Sequence, residues 1–361
     1  MPNNKGFSSL LLIFIFVLIF STGGFYYYYS NQTPTLNTVP TTKSIIPTNP
    51  PINPLVTQIL NKKVYLVIYN PKIGNQSTIE YFNWNNPDEI TQGVINFFKE
   101  VTSGKVSYSV VKRQVYETFP IKTDGFTYTS ESYLKCMSSE TKDIDCHNPD
   151  SADYLEILRT TGACELLNKG EIDELWIWGG PYFGFWESNV AGPKGFFVNS
   201  PETVGSTCKK ILPIMGYNYE RTVNEAVHNF GHRAESVMKE VYGSWEPTPT
   251  HSWNRFSLLN KDTQNISGCG NTHFTPGSTQ DYQYDPSQNV SSNCHEFKNF
   301  PNIKGEYKTI NCTLWDCDEL KFYKYWWSNF PQNNGTSFDT FVNKEIYNNW
   351  LLYVFDFSWR E

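Results

Sequence analysis

Between Lys63 and Tyr242, short runs of β-branched and aromatic residues alternate with capped, amphipathic helical segments. This alternation limits the fold to layers of helix packed on sheet, because each element must bury its apolar side against another. Residues 63–69, KVYLVIY, read as a strand stopped by Asn70-Pro71. Asn86 precedes Pro87, Asp88 and Glu89, and Gly104 lies beyond, the start and stop signals of a helix. Residues 105–119 read as a strand, 151–170 as a second helix and 173–180 as a buried strand. An aromatic loop, GPYFGFWESNVAGPKG, leads to a short strand at 196–200. A helix then runs from Glu220 to Tyr242 and ends at Gly243, and a last helix is expected at 343–355. The order predicts an α/β (α+β) fold with a mixed sheet over residues 57–245. A loop-rich, disulfide-containing part, 246–361, should pack on the same domain.

The N-terminal segment places the bulk of the chain outside the cell. Leu10 to Phe20 is an unbroken apolar run, Lys5 precedes it, and no charge follows until Lys43. With its flanks the run approaches the roughly 20 residues that span a bilayer. The charge bias predicts a single-pass cell-membrane anchor in 1–29 with the C-terminal domain extracellular. Cleavage near Ser21, Thr22 and Gly23 would instead give a secreted chain. Residues 30–56 are rich in Pro, Thr and Asn and read as an extended tether to a monomeric domain. The chain holds 8 cysteines, all beyond the tether, which reads as disulfides in an oxidising compartment. Sequence proximity suggests Cys136–Cys146, Cys269–Cys294 and Cys312–Cys317, leaving Cys164–Cys208. A net charge of −7 argues against a nucleic-acid partner.

The segment NEAVHNFGHRAES, 224–236, carries the chemistry. A helical wheel places His228, His232, Glu225 and Glu235 on one face. Val227, Phe230, Ala234, Val237, Met238 and Val241 fall opposite, so the helix is amphipathic. Two imidazoles one turn apart can share a zinc ion. A solvated polar face would show the same residue types, and Arg221 and Lys239 lie on it too.

HNFGH after a mixed sheet resembles the active-site helix of the zincin metallopeptidases. The chain also resembles a group of exported proteins, without an assigned activity, that carry stretches of the GGPYFGFWES, GHRAES and GCGNTHF type. The zincin resemblance implies a zinc ion on His228 and His232, with a third ligand downstream. His273 is the first choice, His251 the second, and Glu235 a neighbouring partner or occasional ligand. The departure is Asn229, which stands where the family has its proton-accepting glutamate and which cannot accept a proton. Glu225, one turn earlier, is then the replacement base. The resemblance also makes the aromatic loop a cleft wall, with Tyr182, Phe183, Trp186 and Glu187 as substrate-binding residues. Three functions are expected: a membrane-anchored extracellular zinc hydrolase of peptidase type, a non-catalytic relative that binds peptide or glycan, or a purely structural surface protein, which the anchor and tether alone would serve.

Overall fold

The computed structural model describes residues 59–360 apart from Gln264. The expected anchor, 1–29, and the tether, 30–56, lie outside the described residues. Among those described, no helix is long and apolar enough to cross a membrane.

A five-stranded sheet forms the middle layer. Its strands are β1 (Leu60–Tyr69), β2 (Val106–Tyr116), β3 (Glu174–Gly179), β4 (Ser188–Ala191) and β5 (Leu212–Asn218), in the order β2-β1-β3-β5-β4. The first four in that order run parallel, and only the edge strand β4 is antiparallel. Side chains alternate across a strand, so each face gathers its own set. Val64, Leu66, Trp176, Trp178 and Met215 join one core, and Tyr65, Val67, Leu175, Ile177 and Ile214 join the other. Every residue of β3 is buried, as expected of a central strand covered on both faces.

On the first face lie α1 (Pro87–Val101) and α4 (Val223–Tyr242). Asn86 caps α1 by accepting from the Asp88 N–H at 3.0 Å, with Pro87 in the first turn. The second face is covered by α2 (Tyr154–Thr161) and α3 (Ala163–Asn168). The single helix expected over 151–170 is thus two, because Gly162 adopts φ 67° and ends the first.

Two further expectations are corrected. Residues 196–200 are not a strand; the strand is β4, and Phe197 is 59% exposed. Residues 343–355 are not one helix. Lys344–Asn349 pairs with Gln332–Asp339 as a hairpin, and only Leu351–Phe355 is helical. Its burial does not alternate, Lys344 and Glu345 being exposed and Ile346, Asn348 and Asn349 buried, so the pairing with Gln332–Asp339 is what makes it a strand. The part beyond residue 246 also contributes α5 (Glu319–Asn329), which packs on α4 and α1. Phe98 of α1, with ring centroids 4.5 Å from Phe230 and 5.1 Å from Trp327, joins both parts in one core.

All four expected disulfides are present: Cys136–Cys146, Cys164–Cys208, Cys269–Cys294 and Cys312–Cys317. Among the described residues no cysteine is free.

Candidate metal centre and cleft

Helix α4 starts at a capping box. Thr222 accepts from the Asn224 N–H, and Glu225 Oε2 accepts from the Thr222 N–H at 2.9 Å. The apolar side reads as expected: Val227, Phe230, Ala234, Val237 and Met238 are fully buried. The polar side is not a solvated face, since His228 is 6% exposed and Glu235 5%. The loop after Cys269 and helix α5 cover it. His273 of that loop packs on His228 with ring centroids 5.1 Å apart, and Tyr323 of α5 bonds the same histidine.

The loop can come this close because residue 231 is glycine. A Cβ there would lie 2.6 Å from the Thr272 hydroxyl. Asn271 Oδ1 accepts from the N–H groups of His273 and Phe274, which turns the chain back and presents the His273 ring. The disulfide from Cys269 to Cys294 anchors the loop behind it.

His228, His232 and His273 each place a ring nitrogen within 4.8 Å of the others. Each ring also has Nδ1 engaged. His228 Nδ1 lies 2.7 Å from the Tyr323 hydroxyl, His232 Nδ1 2.8 Å from Glu235 Oε2, and His273 Nδ1 3.1 Å from Asp281 Oδ1. An ionised carboxylate only accepts, so Nδ1 carries the proton in His232 and His273. At His228 the same tautomer holds when the Tyr323 hydroxyl turns to the Thr272 carbonyl, 3.3 Å away. Nε2 is then the lone-pair nitrogen of each ring in its neutral form, whereas a protonated His232 would carry a proton on Nε2 and donate it to His273. The Nε2 atoms of His232 and His273 face one another at 3.0 Å. Two lone pairs at that separation repel unless a proton or a metal ion lies between them.

Charges around the rings differ. Burial, together with His232 and His273, pushes His228 down to about 3, so it is neutral at ordinary pH. Burial also pulls His232 down, but the hydrogen bond and charge of Glu235 outweigh it and raise the ring above its usual value. Glu235 is fully buried, yet His232 and Thr272 hold it below the usual carboxylate range. Its Oε1 accepts from the Thr272 N–H at 2.7 Å and from the Thr272 hydroxyl. Glu235 thus stands behind His232 and orients it; the geometry does not favour it as a direct ligand.

A cleft of about 790 Å³ opens beside His228 and Asn229. Tyr182, Trp186 and Glu187 of the aromatic loop line it, with Tyr282 opposite. Phe183 does not: it is fully buried against Phe119 and Tyr133 in the second core. Glu187, immediately before the edge strand β4, brings Oε2 to 3.7 Å from His232 Nε2. The Asn199 side chain donates to that oxygen, and the Asn199 N–H donates to Ser236 Oγ of α4 at 3.0 Å. A second pocket of about 440 Å³ reaches His232 and His273 from the other side.

Asn229 Nδ2 donates to the Gly216 carbonyl at 2.8 Å, which ties α4 to β5. Glu225 lines the cleft, but its carboxylate is held by Thr222 at the helix cap. His251 is no part of the cluster. It caps the helix Ser252–Phe256 and bonds the Ser244 hydroxyl at 3.0 Å. Reading the sequence did not find Tyr323, Asp281, Thr272 or Asn199, which support the cluster from distant segments. Only Asp281 had a local signal, as a carboxylate a few residues beyond His273. No protein-family model, curated protein or solved structure matches the chain.

Proposed function

We propose that this protein is an exported zinc hydrolase of peptidase type, with a zincin-like helix and with Glu187 in place of the helix glutamate. One observation carries the reading: the Nε2 atoms of His232 and His273 converge to 3.0 Å, with each Nδ1 tied to an oxygen. Zinc takes imidazole nitrogens at about 2.0–2.1 Å in tetrahedral array, so its ligand atoms lie roughly 3.3–3.5 Å apart. A small widening of the pair therefore suits it. Outer oxygens on the far ring nitrogens are the usual support of such ligands. When bound, zinc would polarise a substrate carbonyl and bring the pKa of a water toward about 7.

Glu187 supplies what Asn229 lacks. Its carboxylate borders both the histidines and the cleft, within one water of His232 Nε2. Asn199 holds it there. Trp186 is 42% exposed and, with Tyr182, offers a flat apolar wall to a peptide or a sugar ring. The four disulfides fit an oxidising compartment, and the apolar segment in 1–29 is read as the anchor or export signal.

The alternative is a non-catalytic relative that holds peptide or glycan in the cleft, and the fixed, non-basic Asn229 favours it. Zinc content and casein cleavage, measured on wild type, His232→Ala and Glu187→Gln, separate the two. The hydrolase requires that His232→Ala lose zinc and activity. Glu187→Gln should keep zinc and lose activity by about 10²–10⁴-fold. Wild type that holds zinc and cleaves nothing would favour the alternative, and unchanged zinc in His232→Ala would sink both metal readings.

A further inference from the structure

The three-histidine cluster is not the only group of metal-binding atoms. His295, Glu296 and Glu306 also bring one ligand atom each to within 4.8 Å of the others. None of the three takes part in the cleft. His295 and Glu296 sit in the 3-10 turn Cys294–Asn299, directly after the cysteine that bridges to Cys269. Glu306 arrives on the loop that follows Phe300.

Two features of this group have no purpose within the protein's own hydrogen bonding. His295 Nε2 is sealed from solvent and has no hydrogen-bond partner. An unpaired buried polar atom is costly and rare. Glu296 is 3% exposed, and its two oxygens are used unequally. Its Oε2 accepts from the N–H groups of Lys304 at 2.6 Å and Gly305 at 3.2 Å. Its Oε1 receives no hydrogen bond among the described residues and faces His295 Nε2 at 3.8 Å. That separation is too long for a hydrogen bond. It is close to the roughly 3.3–3.6 Å edge that a four-coordinate ion with 2.0–2.2 Å bonds sets between its ligands.

We propose that His295, Glu296 and Glu306 form a second, structural cation site for a divalent first-row transition ion such as zinc. One imidazole with two carboxylates suits zinc or manganese; calcium, which takes oxygen donors, is disfavoured by the nitrogen. The ion completes a clamp that the protein has half built. Glu296 Oε2 already holds the backbone of the 304–305 turn, and the ion would tie the next residue, Glu306, to the same carboxylate. The 3-10 turn that bears His295 and Glu296 begins at Cys294, whose disulfide anchors the loop of His273. The second site would therefore brace the support of the first without touching the cleft.

The test is zinc stoichiometry of the full chain, loaded with zinc alone, dialysed and analysed for metal. Glu306 is exposed, so Glu306→Gln leaves the fold intact and is the principal variant. Two zinc ions in wild type, one in Glu306→Gln and one in His232→Ala are expected. The zinc-dependent rise in Tm should shrink in Glu306→Gln while circular dichroism stays unchanged. His295→Ala should repeat the loss. Equal zinc in wild type and Glu306→Gln would overturn the proposal. Displacement of the Glu306-dependent ion by equimolar calcium would overturn the assignment of ion class. Loss of zinc in Glu306→Gln with none in His232→Ala would uphold this site while refuting the three-histidine one.

Discussion

Arg233 and Glu174 form a two-pronged ion pair sealed inside the protein, with Nη1 2.8 Å from Oε2 and Nη2 2.9 Å from Oε1. Both side chains are essentially unexposed. Tyr108 and Trp176 donate to the same carboxylate, at 3.2 and 3.0 Å. Arg233 follows His232 directly, so pinning it to the first residue of β3 fixes the rotation of α4. The histidine side must then face the cleft.

Removing one partner of such a pair leaves a bare charge in the core. Glu174→Gln should destabilise the fold by about 3–5 kcal/mol in urea unfolding. Replacing both, as Glu174→Leu with Arg233→Met, should recover most of that loss. A double variant no better than the single one would show that the pair is not the source.

Gly231 permits the close approach of the His273 loop. In Gly231→Ala the new methyl would meet the Thr272 hydroxyl at 2.6 Å, and Thr272 also holds Glu235. The loop must shift, at about 1–3 kcal/mol. Zinc affinity, read by competition with a chelating dye, should fall by about 10–100-fold. Unchanged affinity would mean that the loop position does not matter to the ion.

Tyr323 supports His228 from α5. Tyr323→Phe removes the oxygen 2.7 Å from Nδ1 and little volume. Zinc affinity should drop by about 10–100-fold, less than the near-complete loss expected for His228→Ala. The fold should be nearly unaffected, because Tyr284 still reaches the Thr272 carbonyl at 3.1 Å.

His228 should make the metal-free protein acid-sensitive. Its folded value is depressed from 6.5 to about 3, so the unfolded chain takes up this proton first. The contribution to stability is therefore full above 6.5 and is lost as pH falls toward 3. Unfolding free energy measured across that window should slope less steeply for His228→Gln than for wild type. Parallel slopes would show that His228 is not the group responsible.

Much of the architecture is legible in local sequence. β1, α1, β3 and α4 follow from β-branched runs, an Asn-Pro cap and a Gly stop, signals that act within a few residues. The apolar side of α4 follows from a 3.6-residue period, and the disulfides follow from proximity along the chain. The failures come where a distant partner decides. Lys344–Asn349 is a strand because Gln332–Asp339 pairs with it, and Phe183 is core because the rings of Phe119 and Tyr133 enclose it.

The same division runs through the three-histidine cluster. The sequence alone determined that His228 and His232 share one helical face and that Asn229 cannot serve as a base, since both follow from helix period and side-chain chemistry. Only the tertiary structure decided that this face is buried, that His273 rather than His251 joins the cluster, and that Glu187 lies 3.7 Å from His232. Those outcomes depend on contacts between residues tens of positions apart, through loops whose course no local periodicity encodes.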